Sequence, residues 1–197
     1  MAKAIYLVLD MMNDLVHEGG PNGATPYGVQ TKERGIIVKT AVALQKARAA
    51  GLLVGYVRVG FSADYRECPT KSPVFSRVPA AGIFKLGTWG TAVHPDLAPQ
   101  EQDYDFVKQR VSPFHGTNLD LVLRTQNVTR IYCSGISTNA VVQATVREGH
   151  DRDYEMIVLE DCCCAMSGSE HTASIQNLAP FAQFTTSGAV QFSQPDA

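Results

Sequence analysis

The sequence lacks the features that mark nucleic-acid-binding, membrane-spanning or secreted proteins. Its 17 basic and 19 acidic side chains give a formal net charge of −2, which excludes a strongly basic nucleic-acid binder. No apolar run approaches the roughly 18 residues of a membrane span, and the N-terminus lacks a signal-peptide pattern. Since 45% of the 197 residues are hydrophobic, we expect one soluble domain spanning residues 1–197.

The cysteines fit neither a disulfide framework nor a metal site. Three of the five are adjacent, at Cys162, Cys163 and Cys164, while Cys68 and Cys133 show no CxxC spacing. Metal sites place Cys or His in pairs at short intervals, whereas the five histidines are scattered singly. We therefore expect reduced thiols, a cytoplasmic location and no bound metal.

Short apolar runs alternate with helical stretches along the chain. The runs predict strands at residues 4–9, 53–59, 104–107, 130–133, 156–159 and 181–185. Helices are predicted at residues 31–50, 117–126, 138–149 and 169–179. Strands alternating with helices favour right-handed βαβ units, and hence a three-layer α/β/α domain with a parallel sheet. Because no GxGxxG motif follows the first strand, no nucleotide cofactor is expected.

Residues 60–103 form a long stretch rich in proline and aromatic residues, without a strand pattern. It contains Trp89, the only tryptophan of the chain. A loop of this length inside a compact domain is usually functional. We expect part of it to cover a ligand pocket, with oligomer contact or packing as the alternatives.

Polar residues follow several predicted strands. Asp10 and Asn13 follow the first strand, Lys108 the third, and Ser137 and Asn139 the fourth. In open parallel sheets, ligands bind beyond the carboxyl ends of the strands. A carboxylate and an ammonium directed toward one crevice can hold each other's pKa in place or move a proton. For any one of them, a surface ion pair or a helix cap is the alternative.

Four segments carry a family resemblance through their order and spacing. They are residues 8–15 (VLDMMNDL), 87–99 (GTWG and HPDLAP), 107–119 (VKQRVSPFHGTNL) and 135–139 (GISTN). Together they resemble the isochorismatase-like hydrolase family, which includes nicotinamidases and other small-amide hydrolases. The resemblance implies a six-stranded parallel sheet in the order 3-2-1-4-5-6, with helices on both faces.

The same resemblance implies a catalytic Asp at Asp10 and a catalytic Lys at Lys108. It also implies a non-proline cis peptide between Ile136 and Ser137, with an oxyanion hole of backbone N–H groups around Ser137 to Val141. The family's nucleophile is a Cys on the first turn of the next helix, where the helix dipole lowers the pKa of a thiol. In this chain that position is Val141, and valine cannot attack a carbonyl.

Three interpretations follow from the missing thiol. In the first, Asp10 and Lys108 supply acid–base chemistry and water is the nucleophile, as in the family's true isochorismatases, which cleave a vinyl ether. In the second, Cys162, Cys163 or Cys164 replaces the nucleophile and the substrate is a small amide. In the third, the chain is a non-catalytic binding or oligomeric protein.

The resemblance also bears on ligands and partners. We expect Asn13 and Asn139 to orient a small-molecule substrate, with capping as the alternative. Trp89 and Phe114 are expected in the pocket wall, with core packing as the alternative. Nicotinamidases of the family carry an Asp-x-His metal motif soon after strand two, and residues 58–64 contain no His. Family members often form dimers or tetramers, so a homodimer or homotetramer is implied.

Overall fold

The computed structural model describes residues 1–195, which form one six-stranded parallel sheet. The strands are β1 (Lys3–Leu9), β2 (Leu53–Val59), β3 (Tyr104–Lys108), β4 (Val128–Gly135), β5 (Glu155–Leu159) and β6 (Gln183–Thr185). Their order in the sheet is β3-β2-β1-β4-β5-β6. The predicted strand order is therefore confirmed.

β1 lies at the centre of the sheet, where it pairs with β2 on one side and β4 on the other. Its side chains alternate between the two faces: Tyr6 and Val8 belong to one hydrophobic core, and Leu7 and Leu9 to the other. Because both faces are covered, the strand reads as a continuous apolar run rather than an alternating one.

Helices cover both faces of the sheet. They are α1 (Asn13–Val16), α2 (Pro26–Glu33), α3 (Ile36–Ala49), α4 (Val78–Ala81), α5 (Leu119–Thr125), α6 (Gln143–His150) and α7 (Gly168–Leu178). α3 contributes Ile36 and Leu44 to the core that contains Tyr6. α5 and α6 contribute Leu123 and Val146 to the opposite core. This arrangement matches the predicted three layers.

Some helix boundaries differ from those predicted. The helix expected over residues 31–50 is two helices, because Gly35 adopts a left-handed φ of +61° between α2 and α3. Gly51, with φ +70°, follows the end of α3, close to where the helix predicted over residues 31–50 ends. The helix predicted from residue 138 begins with a π-helical turn, Thr138–Val142, whose N-cap is Ser137.

Residues 60–103 are ordered around a third, smaller core. Phe61, Phe75, Val78 and Phe84 pack there against Met12, which follows β1. The segment includes α4 and two short 3₁₀ turns, so it is a packed cover rather than an open loop. Within the described residues, no helix combines the length and apolar character that a membrane crossing requires.

Candidate active site

Asp10 follows β1 directly and is held by the neighbouring strand β2. Its φ of +55° lies in the left-handed region, which Asp tolerates better than most residues. The Asp10 N–H donates to the Val57 carbonyl over 2.8 Å, and the Val59 N–H donates to Asp10 Oδ1 over 2.9 Å. These two bonds fix the direction of the carboxylate at the carboxyl edge of the sheet.

Lys108 ends β3 and forms a buried ion pair with Asp10. Its Nζ lies 2.9 Å from Asp10 Oδ2, and the residues are 2% and 4% exposed. Lys108 Nζ also donates to the Arg110 carbonyl over 3.2 Å. Burial raises the pKa of Asp10, although the Lys108 ammonium opposes the rise. The site therefore holds a carboxyl group that gives up its proton less readily than an exposed aspartate.

The turn after β4 forms the third part of the site. Its Ile136–Ser137 peptide bond is cis, as expected. Gly135 is required there because a Cβ at this position would lie 2.2 Å from the Leu9 carbonyl oxygen. The Thr138 N–H donates to the Cys164 carbonyl over 2.8 Å. The Ser137 hydroxyl has no hydrogen-bond partner among residues 1–195, so it is free to bind a ligand.

These strand ends open into a cavity of about 290 Å³. Asp10, Lys108, Ser137 and Val141 all line it. Most of the remaining wall is apolar, and residues 60–103 supply a large part of it: Val74, Phe75, Val78, Ala81, Ile83 and Phe84. Part of the long loop therefore covers a pocket, in agreement with the sequence interpretation.

Comparison with known proteins decides the family. The family model for the isochorismatase domain matches residues 4–189. The chain belongs to the isochorismatase family. It is 32% identical over 176 residues to the uncharacterized isochorismatase family protein YecD of Escherichia coli O157:H7, covering 88% of this chain and 86% of that protein.

Two further relatives describe the breadth of the family. Ureidoacrylate amidohydrolase RutB of Methylorubrum extorquens is 32% identical over 169 residues, covering 80% of this chain and 68% of that protein. The crystal structure of an isochorismatase family protein from Desulfovibrio vulgaris superimposes with a TM-score of 0.83 at 26% identity, covering 96% of both chains. The isochorismatase family and these relatives therefore connect the chain to hydrolases.

The structure brings together five of the residues singled out in the sequence. The residues that line the cavity are Asp10, Lys108, Ile136, Ser137 and Val141. They come from the ends of three strands and from the turn that begins the following helix. This is the arrangement that the family resemblance implies for an active site.

Asn13, expected to orient a substrate, and Trp89, expected in the pocket wall, are not among the residues that line the cavity. Asn13 Nδ2 donates to the Trp89 carbonyl over 2.8 Å. This bond ties the Trp89 turn to α1, where Asn13 is buried, whereas Trp89 is 53% exposed and packs edge-on against His17. Asn13 is therefore a buried structural link between α1 and the Trp89 turn.

Phe114 and Asn139 also lie away from the cavity wall, contrary to expectation. Phe114 is 5% exposed and stacks on Tyr154 at 6.0 Å in the core beneath the sheet. Asn139 is on the exposed side of the π-helical turn, where its Nδ2 donates to Glu170 Oε2 over 3.3 Å. Packing and a helix-end contact account for these two residues.

None of the adjacent cysteines lines the cavity. Cys162, Cys163 and Cys164 are each 0% exposed. Burial raises the pKa of Cys162 to about 12 and that of Cys164 to about 11, and it raises the pKa of Cys163 well above the usual value. Thiols that remain protonated and have no access to the cavity are poor candidates for a nucleophile.

His171, which the sequence analysis did not single out, supports the turn after β4. It is 4% exposed on α7, with Nδ1 2.9 Å from Thr138 Oγ1 and Nε2 3.0 Å from Arg34 Nη2. Glu160 Oε2 lies 3.2 Å from the same Nε2 and 3.3 Å from the Arg34 guanidinium. Burial, aided by Arg34, lowers the pKa of His171.

The contacts assign the tautomer of this histidine. A guanidinium only donates hydrogen bonds, whereas the Glu160 carboxylate only accepts them, and the lowered pKa of His171 favours the neutral ring whose Nε2 accepts from Arg34 over one whose Nε2 donates to Glu160. The proton is then on Nδ1, which donates to the Thr138 hydroxyl. His171 therefore anchors the residue that follows Ser137. No sequence pattern signals this role, because Arg34, Thr138 and His171 are far apart along the chain.

Asp14 connects the chain after β1 to the cover formed by residues 60–103. It is 7% exposed, and its Oδ2 accepts the Phe84 N–H over 2.7 Å. A Cβ at Gly90 would lie 2.2 Å from Asp14 Oδ1, so only glycine leaves room for the carboxylate. Asp14 thereby fixes Phe84 against the cavity.

Proposed function

We propose that this isochorismatase-family protein hydrolyses a small organic molecule by acid–base catalysis with water as the nucleophile. The observation that carries this proposal is the buried Asp10–Lys108 pair in an apolar cavity. Among the described residues that line the cavity, none is a cysteine. A mechanism without a covalent thiol intermediate uses the groups that are present.

Asp10 is the general acid of the proposed reaction. Because burial raises its pKa, the carboxyl group holds a proton to a higher pH than an exposed aspartate does. With a vinyl ether, Asp10 would protonate the terminal carbon, water would add to the resulting oxocarbenium carbon, and the hemiketal would collapse to a ketone and an alcohol. Lys108 then stabilises the carboxylate that Asp10 becomes, since its ammonium lies 2.9 Å away.

We place the family's nucleophile position at Val141. Val141 lines the cavity together with Asp10 and Lys108 and lies on the π-helical turn Thr138–Val142 that follows Ser137. The same turn carries the proposed oxyanion hole around Ser137 to Val141, where the Thr138 and Ala140 N–H groups already donate to the Cys164 and Ser137 carbonyls and the other backbone N–H groups are the proposed donors. A thiol at position 141 would meet the geometry that the family uses for covalent catalysis.

Amide hydrolysis is a second candidate, favoured by the similarity to RutB, which is named an amidohydrolase. Here ionised Asp10 takes a proton from the attacking water, the oxyanion is held by the Ser137 turn, and Asp10 passes that proton to the leaving nitrogen. The two candidates share the same residues and differ in the protonation state in which Asp10 starts and in the bond that breaks.

A substrate screen with two variants tests these proposals. Pyruvyl enol ethers and small primary amides or ureides are incubated with the wild type, with Asp10→Asn and with the surface control Asp64→Asn. We expect Asp10→Asn to lower turnover by about 10²–10⁴-fold and Asp64→Asn to leave it unchanged. Retained turnover in Asp10→Asn would remove Asp10 from the mechanism, and no turnover by the wild type would favour a non-catalytic protein.

Val141→Cys tests the position of the missing nucleophile. We expect this variant to become reactive toward limiting iodoacetamide near neutral pH and to gain hydrolysis of small amides, while the wild-type cysteines stay unreactive. Peptide mass spectrometry locates the modified thiol. Labelling of Cys162, Cys163 or Cys164 in the wild type would instead support a relocated nucleophile.

The wider setting of the protein is also proposed. We propose a single domain over residues 1–197, a cytoplasmic location and a homodimer or homotetramer. The match to the isochorismatase domain over residues 4–189 supports the first, and five free cysteines fit a reducing compartment. Light scattering after size-exclusion chromatography would measure the subunit number.

A further inference from the structure

Arg77 differs from every other arginine of the chain. Each of the other nine donates from its guanidinium to a carboxylate or to a backbone carbonyl. Arg77 lies just before α4, lines the cavity, and has no ion-pair or side-chain hydrogen-bond partner among residues 1–195. Its positive charge is therefore uncompensated by the protein.

The charges in the cavity wall indicate which kind of ligand Arg77 would favour. The lining contains three ionisable charged side chains, Asp10, Lys108 and Arg77. Lys108 is paired with Asp10 over 2.9 Å, and with Asp10 either ionised or protonated the excess charge of the wall is positive, with Arg77 as the cation that has no partner among residues 1–195. A neutral or cationic ligand would leave that guanidinium unpaired, whereas an anionic ligand would pair with it.

The two charged regions lie at different depths. Asp10 and Lys108 are 4% and 2% exposed, while Arg77 is exposed to solvent. Apolar side chains such as Phe75 and Val78 line the cavity as well. A ligand in this cavity would therefore meet a cation at the solvent side and the reactive pair at the buried side.

We propose that Arg77 binds the carboxylate of an anionic substrate whose apolar body fills the cavity. This inference rests on the proposed function, since it places the reacting bond at Asp10 and Lys108. A guanidinium offers two parallel N–H groups that match a carboxylate, and apolar surroundings strengthen that contact. Tyr27 and Asn22, whose side chains also line the cavity without hydrogen-bond partners in the described chain, complete a polar rim.

Calorimetric titration with matched pairs of ligands tests the proposal without turnover. The probes are benzoate, phenylacetate and 3-phenylpropanoate, each compared with the primary alcohol of the same carbon skeleton, which is neutral and cannot be hydrolysed. The proteins are the wild type, Arg77→Gln and Lys71→Gln, which removes an exposed positive charge from the same loop outside the cavity lining. We expect the wild type to bind at least one acid about tenfold more tightly than its alcohol, which corresponds to about 1.4 kcal/mol.

Arg77→Gln should abolish this preference, and Lys71→Gln should keep it. Equal binding of every acid and its alcohol by the wild type would overturn the proposal, as would a preference that survives in Arg77→Gln. Because Arg77 has no internal partner, Arg77→Gln should unfold at the same temperature as the wild type, which separates lost binding from lost folding.

The outcome is distinguishable from failure of the proposed function. Turnover that depends on Asp10 together with binding that ignores Arg77 would overturn only the carboxylate inference. An acid preference that depends on Arg77, in a protein whose turnover ignores Asp10, would overturn only the proposed mechanism.

Discussion

The floor and the cover of the cavity are built from different kinds of segment. The floor consists of strand ends, where Asp10 and Lys108 are placed by the pairing of β1, β2 and β3. The cover consists of residues 60–103, which pack around their own small core. In the floor the charges are paired, whereas in the cover Arg77 is left unpaired. The comparison suggests that the sheet carries the chemistry and the cover selects the ligand.

Lys108→Met, a substitution in the floor, should cause the largest loss of stability. Removing the ammonium leaves Asp10 buried without its cation, which typically destabilises a protein by about 3–5 kcal/mol. The pKa of Asp10 is already raised and should rise further, so the folded protein binds its proton more tightly than the unfolded chain does. Stability should therefore recover as the pH falls. Denaturant unfolding at pH 5 and pH 8 measures this difference.

Lys71→Met serves as the control for that measurement, because Lys71 is an exposed lysine of the cover. Its stability should match the wild type at both pH values. An equal loss in Lys108→Met at both pH values would show that the ammonium contributes packing rather than charge, and the contrast between floor and cover would lose its electrostatic basis.

His171→Gln should have an intermediate effect on stability, because it weakens the support of the turn that contains Ser137 and Thr138. The substitution removes the donor to the Thr138 hydroxyl and should cost about 1–3 kcal/mol near neutral pH. Since the folded pKa of His171 is lowered, the unfolded chain binds more protons between that pKa and the ordinary value near 6.5. Wild-type stability should therefore fall as the pH drops through this window.

Unfolding experiments between pH 5 and pH 8 would measure the slope, with the exposed His115→Gln as the matched variant. The penalty of His171→Gln should shrink toward acid pH. Long-range ¹H–¹⁵N spectra would report the tautomer directly, and a proton on Nε2 at neutral pH would contradict the assigned hydrogen bonds.

Trp89→Ala should give the smallest effect on ligand binding. Trp89 lies outside the cavity and contacts His17 at the surface, so we expect less than about a twofold change in benzoate affinity and a stability loss of about 0.5–1.5 kcal/mol. Phe75→Leu is the comparison within the cover, since Phe75 lines the cavity. Its benzoate affinity should fall severalfold. A larger loss of benzoate affinity in Trp89→Ala than in Phe75→Leu would show that Trp89, rather than Phe75, contacts the ligand.

The floor was predictable from sequence because strand ends meet at one edge of a parallel sheet. Asp10 and Lys108 stand next to continuous apolar runs, and the family resemblance marked the turn at Ser137. The cover was less predictable: its length signalled a pocket, yet nothing distinguished Arg77 from other polar residues of that stretch. Trp89 was misplaced because an aromatic side chain in a loop suits a pocket wall and a surface turn equally well.

The remaining differences have local physical causes. The apolar spacing of residues 31–50 continues across Gly35, although the left-handed backbone there divides the helix. The partners of His171 come from three distant parts of the chain. Contacts of that kind depend on how helices pack on the finished sheet, and no periodicity in the sequence records them.

Asp14 links the floor to the cover, so the sequences of the two parts depend on each other. Asp14 lies four positions beyond Asp10, and its carboxylate accepts a hydrogen bond from the Phe84 N–H. The carboxylate fits only because residue 90 has no side chain. A segment taken from a relative to replace residues 60–103 and change substrate preference would therefore need glycine at position 90 to match Asp14 of this chain. A side chain at that position would displace the Asp14 carboxylate from the Phe84 N–H.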